Sequence, residues 1–136
     1  MLPDLIPDDC QYTDSDLVAR SENSFVCDLN ERPLPEFPKS DFAIFSGVLE
    51  YLQDNETLIR HLPRSFKNVI CSYIVTEIKP DPEFRKSRDW HSNYSKDQLT
   101  ELFESAGYQC NEVVDCQGQQ LIFVFQLKSA GNKQAA

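Results

Sequence analysis

The apolar positions of this chain fall into short runs separated by polar or proline-dense stretches, and the period of each run predicts its structure. Ala43 to Phe45 is an unbroken apolar run, the pattern of a strand covered on both faces, and Ser46-Gly47 breaks it. Val48, Leu49, Tyr51 and Leu52 then recur at helical spacing, with Glu50 and Gln53 as polar interruptions. This predicts a strand that turns straight into an amphipathic helix, with Glu50 on its solvated side. Asp54 or Asn55 can cap a second helix over Glu56 to Leu62, which Pro63 ends. Asn68 to Val75, NVICSYIV, is the strongest strand, β-branched, aromatic and suited to a central position. Ser95 and Gln98 have capping-box spacing, Leu99, Leu102, Phe103 and Ala106 share one helical face, and Gly107 is the stop. Two closing strands, Tyr108 to Val114 and Leu121 to Leu127, flank a turn at Gly118.

The rest of the pattern is weaker. Short strands are predicted near residues 16–19 and 25–28. Pro33, Pro35 and Pro38 exclude a regular helix or central strand between them. Glu77 to Trp90, with Pro80 and Pro82, reads as a loop. Strands alternating with helices, then a terminal hairpin, describe an α/β sheet with an antiparallel edge. Such sheets bind ligands outside the carboxyl ends of their strands, which draws attention to Ser46 and Gly47.

Length and charge narrow the classes. The 136 residues predict one domain over residues 1–128 with a tail over 129–136, and 40% hydrophobic residues with nine Phe predict a packed core. A net charge of −9 repels phosphate backbones, so nucleic acid is an unfavoured partner. No apolar run approaches the roughly 20 residues that span a bilayer, and the opening MLPDLIPDD lacks the basic segment of a signal peptide. Five cysteines, an odd number with no C-x-x-C pair, predict reduced thiols and a cytoplasmic setting, and no metal site is expected. Cys71 lies in an apolar run that disfavours a thiolate. Asp89-Trp90-His91 is the one cluster with visible acid–base potential. The plainer reading, a surface loop whose Trp packs over a helix, is preferred.

In order and spacing, several segments resemble the later portion of a class I S-adenosylmethionine-dependent methyltransferase. Tyr12 to Asp16 resembles the end of the family's second strand, Cys27 to Asn30 the end of the third, and SGVLEYL the fourth-strand motif. NVICSYIV matches the fifth strand, and RDWHSNYSKDQLTELFESAGY the helix before the final hairpin. The resemblance implies a Rossmann-like sheet and S-adenosylmethionine as cofactor. Asp16 would lie at the ribose, Asp28 and Leu29 beside the adenine, and Ser46 and Gly47 at the methionine end. The family's first strand and D/E-x-G-x-G loop have no counterpart, because Gly47, Gly107, Gly118 and Gly131 form no such motif. The expected fold is therefore a methyltransferase sheet truncated at its N-terminal side, from a longer gene or a shortened relative, with weak or absent cofactor binding in this chain alone. The implied acceptor is a small molecule, a glycan or a protein. The alternative is a non-catalytic interaction module that keeps a remnant of the fold and pairs through exposed strand edges, a homodimer among the possibilities.

Overall fold

Two separate ladders organise the chain in the computed structural model, which describes residues 15–16 and 25–128. The described residues belong to two units, one ending at Pro35 and one beginning at Glu36. In the first unit, Ser15–Asp16 (β1) and Phe25–Val26 (β2) pair in parallel. β2 is shorter than the predicted 25–28. The rest of the predicted 16–19 strand lies outside the described residues.

The second unit holds a four-stranded sheet made of Ser40–Phe45 (β3), Phe66–Tyr73 (β4), Tyr108–Cys116 (β5) and Gln120–Leu127 (β6). The order is β3-β4-β6-β5. β3 and β4 are parallel, with Phe42 opposite Asn68 and Ile44 opposite Ile70. β6 runs antiparallel to both β4 and β5, as expected of the last strand, so β5 points the same way as β3 and β4. β4 is central as predicted but begins two residues earlier, at Phe66. The hairpin turn uses two left-handed residues, Gln117 (φ 57°) and Gly118 (φ 70°), and Asp115 Oδ1 accepts from the Gly118 amide at 2.8 Å.

One face of this sheet is the core. Val69, Cys71 and Tyr73 of β4 line up with Phe125 and Phe123 of β6 and are all buried. Over them lie two helices, Asn55–His61 (α1) and Lys96–Ser105 (α3), which bury Leu58, Ile59, Leu99 and Phe103. Phe103 stacks on Phe125 with ring centroids 3.9 Å apart and meets Tyr108 edge-on. α3 starts with the predicted capping box: Ser95 Oγ accepts from Gln98 N at 3.1 Å and Gln98 Oε1 from Ser95 N at 2.8 Å. It stops at Gly107, whose φ of 106° a side chain would strain.

The opposite face departs from the expectation that the strand at Ala43 to Phe45 is covered on both faces. Phe42 (54% exposed), Ile44 (44%) and Val114 (40%) are open, and Ile70, Ile122 and Val124 between them are half-buried. The described residues of the second unit thus form two layers, a sheet and the helices on one of its faces, and β3 is buried on neither face.

Two local expectations also change. The helix predicted after Gly47 is a single 3-10 turn, Leu49–Tyr51. Glu50 is turned inward at 2% exposure while Tyr51 stands out at 47%, the reverse of the periodic reading. Asp54 restarts the chain as the cap of α1, accepting from Thr57 N at 3.1 Å. Within the predicted 77–90 loop lies a short helix, Pro82–Ser87 (α2), capped by Asp81 Oδ1 accepting from Glu83 N at 3.0 Å. An Asx residue followed by proline at the first helical position was the signal available for it.

Candidate functional site at the carboxyl ends of the strands

β3 and β4 deliver their carboxyl ends side by side, and the chain leaves both in tight turns. Gly47 follows β3 in the left-handed region at φ 63°. Its amide donates to Ser72 Oγ on β4 at 2.8 Å, which fixes the turn to the neighbouring strand. A Cβ at Gly47 would meet no atom within 4 Å, so glycine serves the backbone conformation there and the turn is open. Ser46 beside it is exposed.

Behind the turn sits a buried polar cluster. Glu50 Oε2 accepts from Ile74 N at 2.9 Å, and the Glu50 carbonyl accepts from His91 N at 2.7 Å and Ser92 N at 3.3 Å. Burial pushes the Glu50 carboxyl up, against the pull of nearby backbone amides and the Arg85 guanidinium. Arg85, 1% exposed, spends every arm: Nε donates to Asn93 Oδ1 (2.7 Å), Nη1 to the carbonyls of Ile74 (2.9 Å) and Lys79 (3.1 Å), and Nη2 to Ser92 O (3.1 Å) and more loosely to Tyr73 Oη (3.5 Å). Its guanidinium also lies 5.1 Å from the Trp90 ring centre. Tyr73 Oη shares a 2.8 Å bond with Ser92 Oγ and accepts from Tyr94 N at 3.1 Å. Ser92 Oγ and Asn55 Nδ2 both donate to the Leu49 carbonyl. The buried Glu50 carboxyl and Arg85 guanidinium, with their hydrogen bonds, therefore tie the segment from Ile74 to Tyr94 across the ends of β3 and β4. Sequence reasoning missed Arg85, which looks like one more cation in a polar stretch, and placed Glu50 in solvent.

The cluster of Asp89, Trp90 and His91 resolves as the plainer reading held. Trp90 packs edge-on against Phe84 of α2, Asp89 is exposed at φ 61°, and His91 is exposed beside the Glu50 carbonyl. Of the other predicted positions, Asp28 Oδ1 accepts from Asn30 N at 2.9 Å, and the Leu29 carbonyl accepts from Arg32 Nη1 at 2.8 Å. Asp28 is thus engaged in its own turn. The Asp16 side chain lies outside the described residues. Asp28 and Leu29 belong to the first unit, Ser46 and Gly47 to the second. Among the described residues no cluster of three or more His, Cys, Asp or Glu is placed to hold a metal, and no helix is long and apolar enough to cross a membrane.

Solved structures share this architecture. A chain of the Haloferax volcanii complex between the Trm112 methyltransferase activator and the putative methyltransferase matches 82% of this chain and 65% of its own length, with a TM-score of 0.63 at 15% identity. An SAH-bound methyltransferase of calicheamicin biosynthesis matches 68% of this chain, with a TM-score of 0.57 at 17% identity. An O-methyltransferase of neocarzinostatin biosynthesis, in complex with S-adenosylmethionine and 2-hydroxy-5-methyl naphthoic acid, matches 69%, with a TM-score of 0.55 at 17% identity. The matched part of the chain has a class I methyltransferase-like fold. The chain spans 32% and 31% of the length of the two biosynthetic enzymes. No family model matches. A peptide methionine sulfoxide reductase of Brassica napus is 31% identical over 74 residues, which cover 54% of this chain and 29% of that protein.

Glu50 gives the site a pH signature. Its folded carboxyl titrates above the unfolded one, so the stability it confers is full below the ordinary carboxyl range and is lost as pH rises through the raised value. Glu50→Gln should remove that slope. Urea unfolding from pH 4 upward should show the gap between Glu50→Gln and the natural chain shifting in the variant's favour as pH rises. Parallel curves would show that Glu50 titrates as an ordinary carboxyl.

Proposed function

We propose that this chain carries the later part of an S-adenosylmethionine-dependent methyl-transfer site. The observation that supports it most is the open Gly47 turn at the carboxyl end of β3, within a sheet whose antiparallel last strand lies between β4 and β5. S-adenosylmethionine would supply a methyl group on a sulfonium, and transfer needs chiefly alignment of acceptor, methyl and leaving sulfur. Ser46 and Gly47 suit the methionine end, where backbone can approach a ligand closely. Asp28 and Leu29 would face the adenine and Asp16 the ribose. The fit is partial, because Asp28 already serves its own turn and the chain has no glycine loop. An acidic chain favours a small molecule, a glycan or a protein as acceptor over nucleic acid. The described cysteines are free, in keeping with a reducing cytoplasm.

A thiol-based reductase activity finds less support. Burial pushes the thiols of Cys27, Cys71 and Cys110 up, away from the thiolate that a nucleophile needs. The second reading, a non-catalytic interaction module, draws on the open edge and face of β3.

Titration of the purified chain with S-adenosylhomocysteine, followed by calorimetry and by amide chemical shifts, separates these readings. Methyl-transfer ancestry predicts shifts at Ser46, Gly47, Asp28 and Leu29 and a dissociation constant weaker than about 100 μM, roughly −5.5 kcal/mol. A micromolar constant would show that a glycine loop is dispensable. No shift at millimolar ligand would favour the interaction module.

A further inference from the structure

The two edges of the four-stranded sheet are built differently. The β5 edge is interrupted by a bulge between Cys110 and Glu112 and carries Asn111, Glu112 and Asp115 as exposed polar residues. A bulge and charges are the usual means of blocking strand addition. The β3 edge has neither device along Phe42 to Phe45. Among the described residues β3 pairs only with β4. The Ser40 amide donates to Ser65 O across that ladder. Because successive residues point their backbone groups to opposite sides, the N–H and C=O of Ala43 and Phe45 face away from β4.

We propose that this edge pairs with the same edge of a second copy of the chain, antiparallel and centred on Ala43. The side chains around Ala43 are self-complementary in that register. Phe42 falls opposite Ile44 of the second copy, and Ile44 opposite its Phe42. Their backbone groups face β4, so both are non-hydrogen-bonded pairs, in which side chains approach most closely. Phe42 and Ile44 are also the two most exposed large apolar residues of β3, on one face of the sheet. The charges agree. Asp41 falls opposite Phe45, so no two like charges face each other, and Lys39 lies just before the strand, two residues from Asp41. On a chain of net charge −9, this is an edge along which two copies can meet without opposing carboxylates. The general repulsion between two such acidic chains makes the pairing stronger at higher salt.

The test is sedimentation velocity on the whole chain from micromolar to millimolar concentration. The expected result is a concentration-dependent dimer, with Ala43 and Phe45 amides gaining hydrogen-exchange protection as it forms. Phe42→Lys and Ile44→Glu each place a charge opposite an apolar residue twice per dimer. Each should weaken self-association at least about 10-fold. Mixing the two variants sets the introduced lysine of one copy opposite the introduced glutamate of the other and leaves the second Phe–Ile pair intact, so association should return as a heterodimer. Val114→Lys on the β5 side should change nothing. Because positions 42 and 44 are exposed, unchanged circular dichroism separates lost pairing from lost folding. A chain that stays monomeric throughout, or a dimer that Phe42→Lys leaves intact, would overturn the proposal. Failure of the mixed variants to associate would overturn the Ala43-centred register.

Discussion

Replacing Arg85 by methionine is expected to cost on the order of 3–5 kcal/mol of folding stability, a large share of the total for a domain of this size. Methionine fills much of the same space but donates nothing. The carbonyls of Ile74, Lys79 and Ser92 would lose their donor; that of Ser92 is buried, and a buried group left unpaired costs about 1–3 kcal/mol. The Glu50 carboxylate would lose its only buried counter-charge in the cluster. Lysine in place of Arg85 keeps the charge but not the planar fork that reaches Asn93, Ile74 and Ser92 together, so it should recover only part of the loss. Urea unfolding midpoints read the effect directly. A change under about 1 kcal/mol for Arg85→Met would mean that water replaces the guanidinium at those carbonyls and that the cluster is not closed.

Phe103→Ala should cost a similar amount, about 3–5 kcal/mol, by a different route. Phe103 is fully buried, lies parallel to Phe125 with ring centroids 3.9 Å apart, and meets Tyr108 edge-on. Truncation leaves a cavity lined by two aromatic rings of the sheet and by the helix that covers them. Those rings are held by strand pairing, so the site can collapse little. Leu102→Ala, one residue away on the half-buried flank of the same helix, is the control and should cost much less. Equal losses at the two positions, measured by thermal or urea unfolding, would show that the helix as a whole is being lost and not its packing.

How far the sequence speaks can be judged element by element. β4, α3 and the closing hairpin were legible because pattern and punctuation agree there: apolar β-branched run, capping box, glycine stop. The turn at Gly47 was legible for the same reason, but the segment just beyond it was not. Leu49, Tyr51 and Leu52 keep helical spacing, yet the chain folds Glu50 inward, because the amides at the end of β4 and at His91 and Ser92 need acceptors. Periodicity assigns a carboxylate to solvent, and only tertiary hydrogen bonding can reverse that. Arg85 escaped in the same way, since its acceptors come from Ile74, Lys79, Ser92 and Asn93, residues that only the fold assembles. The exposure of β3 was hidden as well. An apolar run reports what a strand can bury, not whether a neighbour is there to bury it.

The strand order has a consequence for how the protein is made. β4 lies between β3, which precedes it in the chain, and β6, which is the last strand synthesised among the described residues. β5 has β6 as its only neighbour in the described sheet. As the chain leaves the ribosome, β4 can therefore acquire only its first neighbour, and β5 must wait with none, until residues Gln120–Leu127 emerge and slot between them. The core face, with Val69, Cys71 and Tyr73, stays half-assembled until that moment. Completion of the sheet is thus a late, cooperative event, triggered by a segment of eight residues.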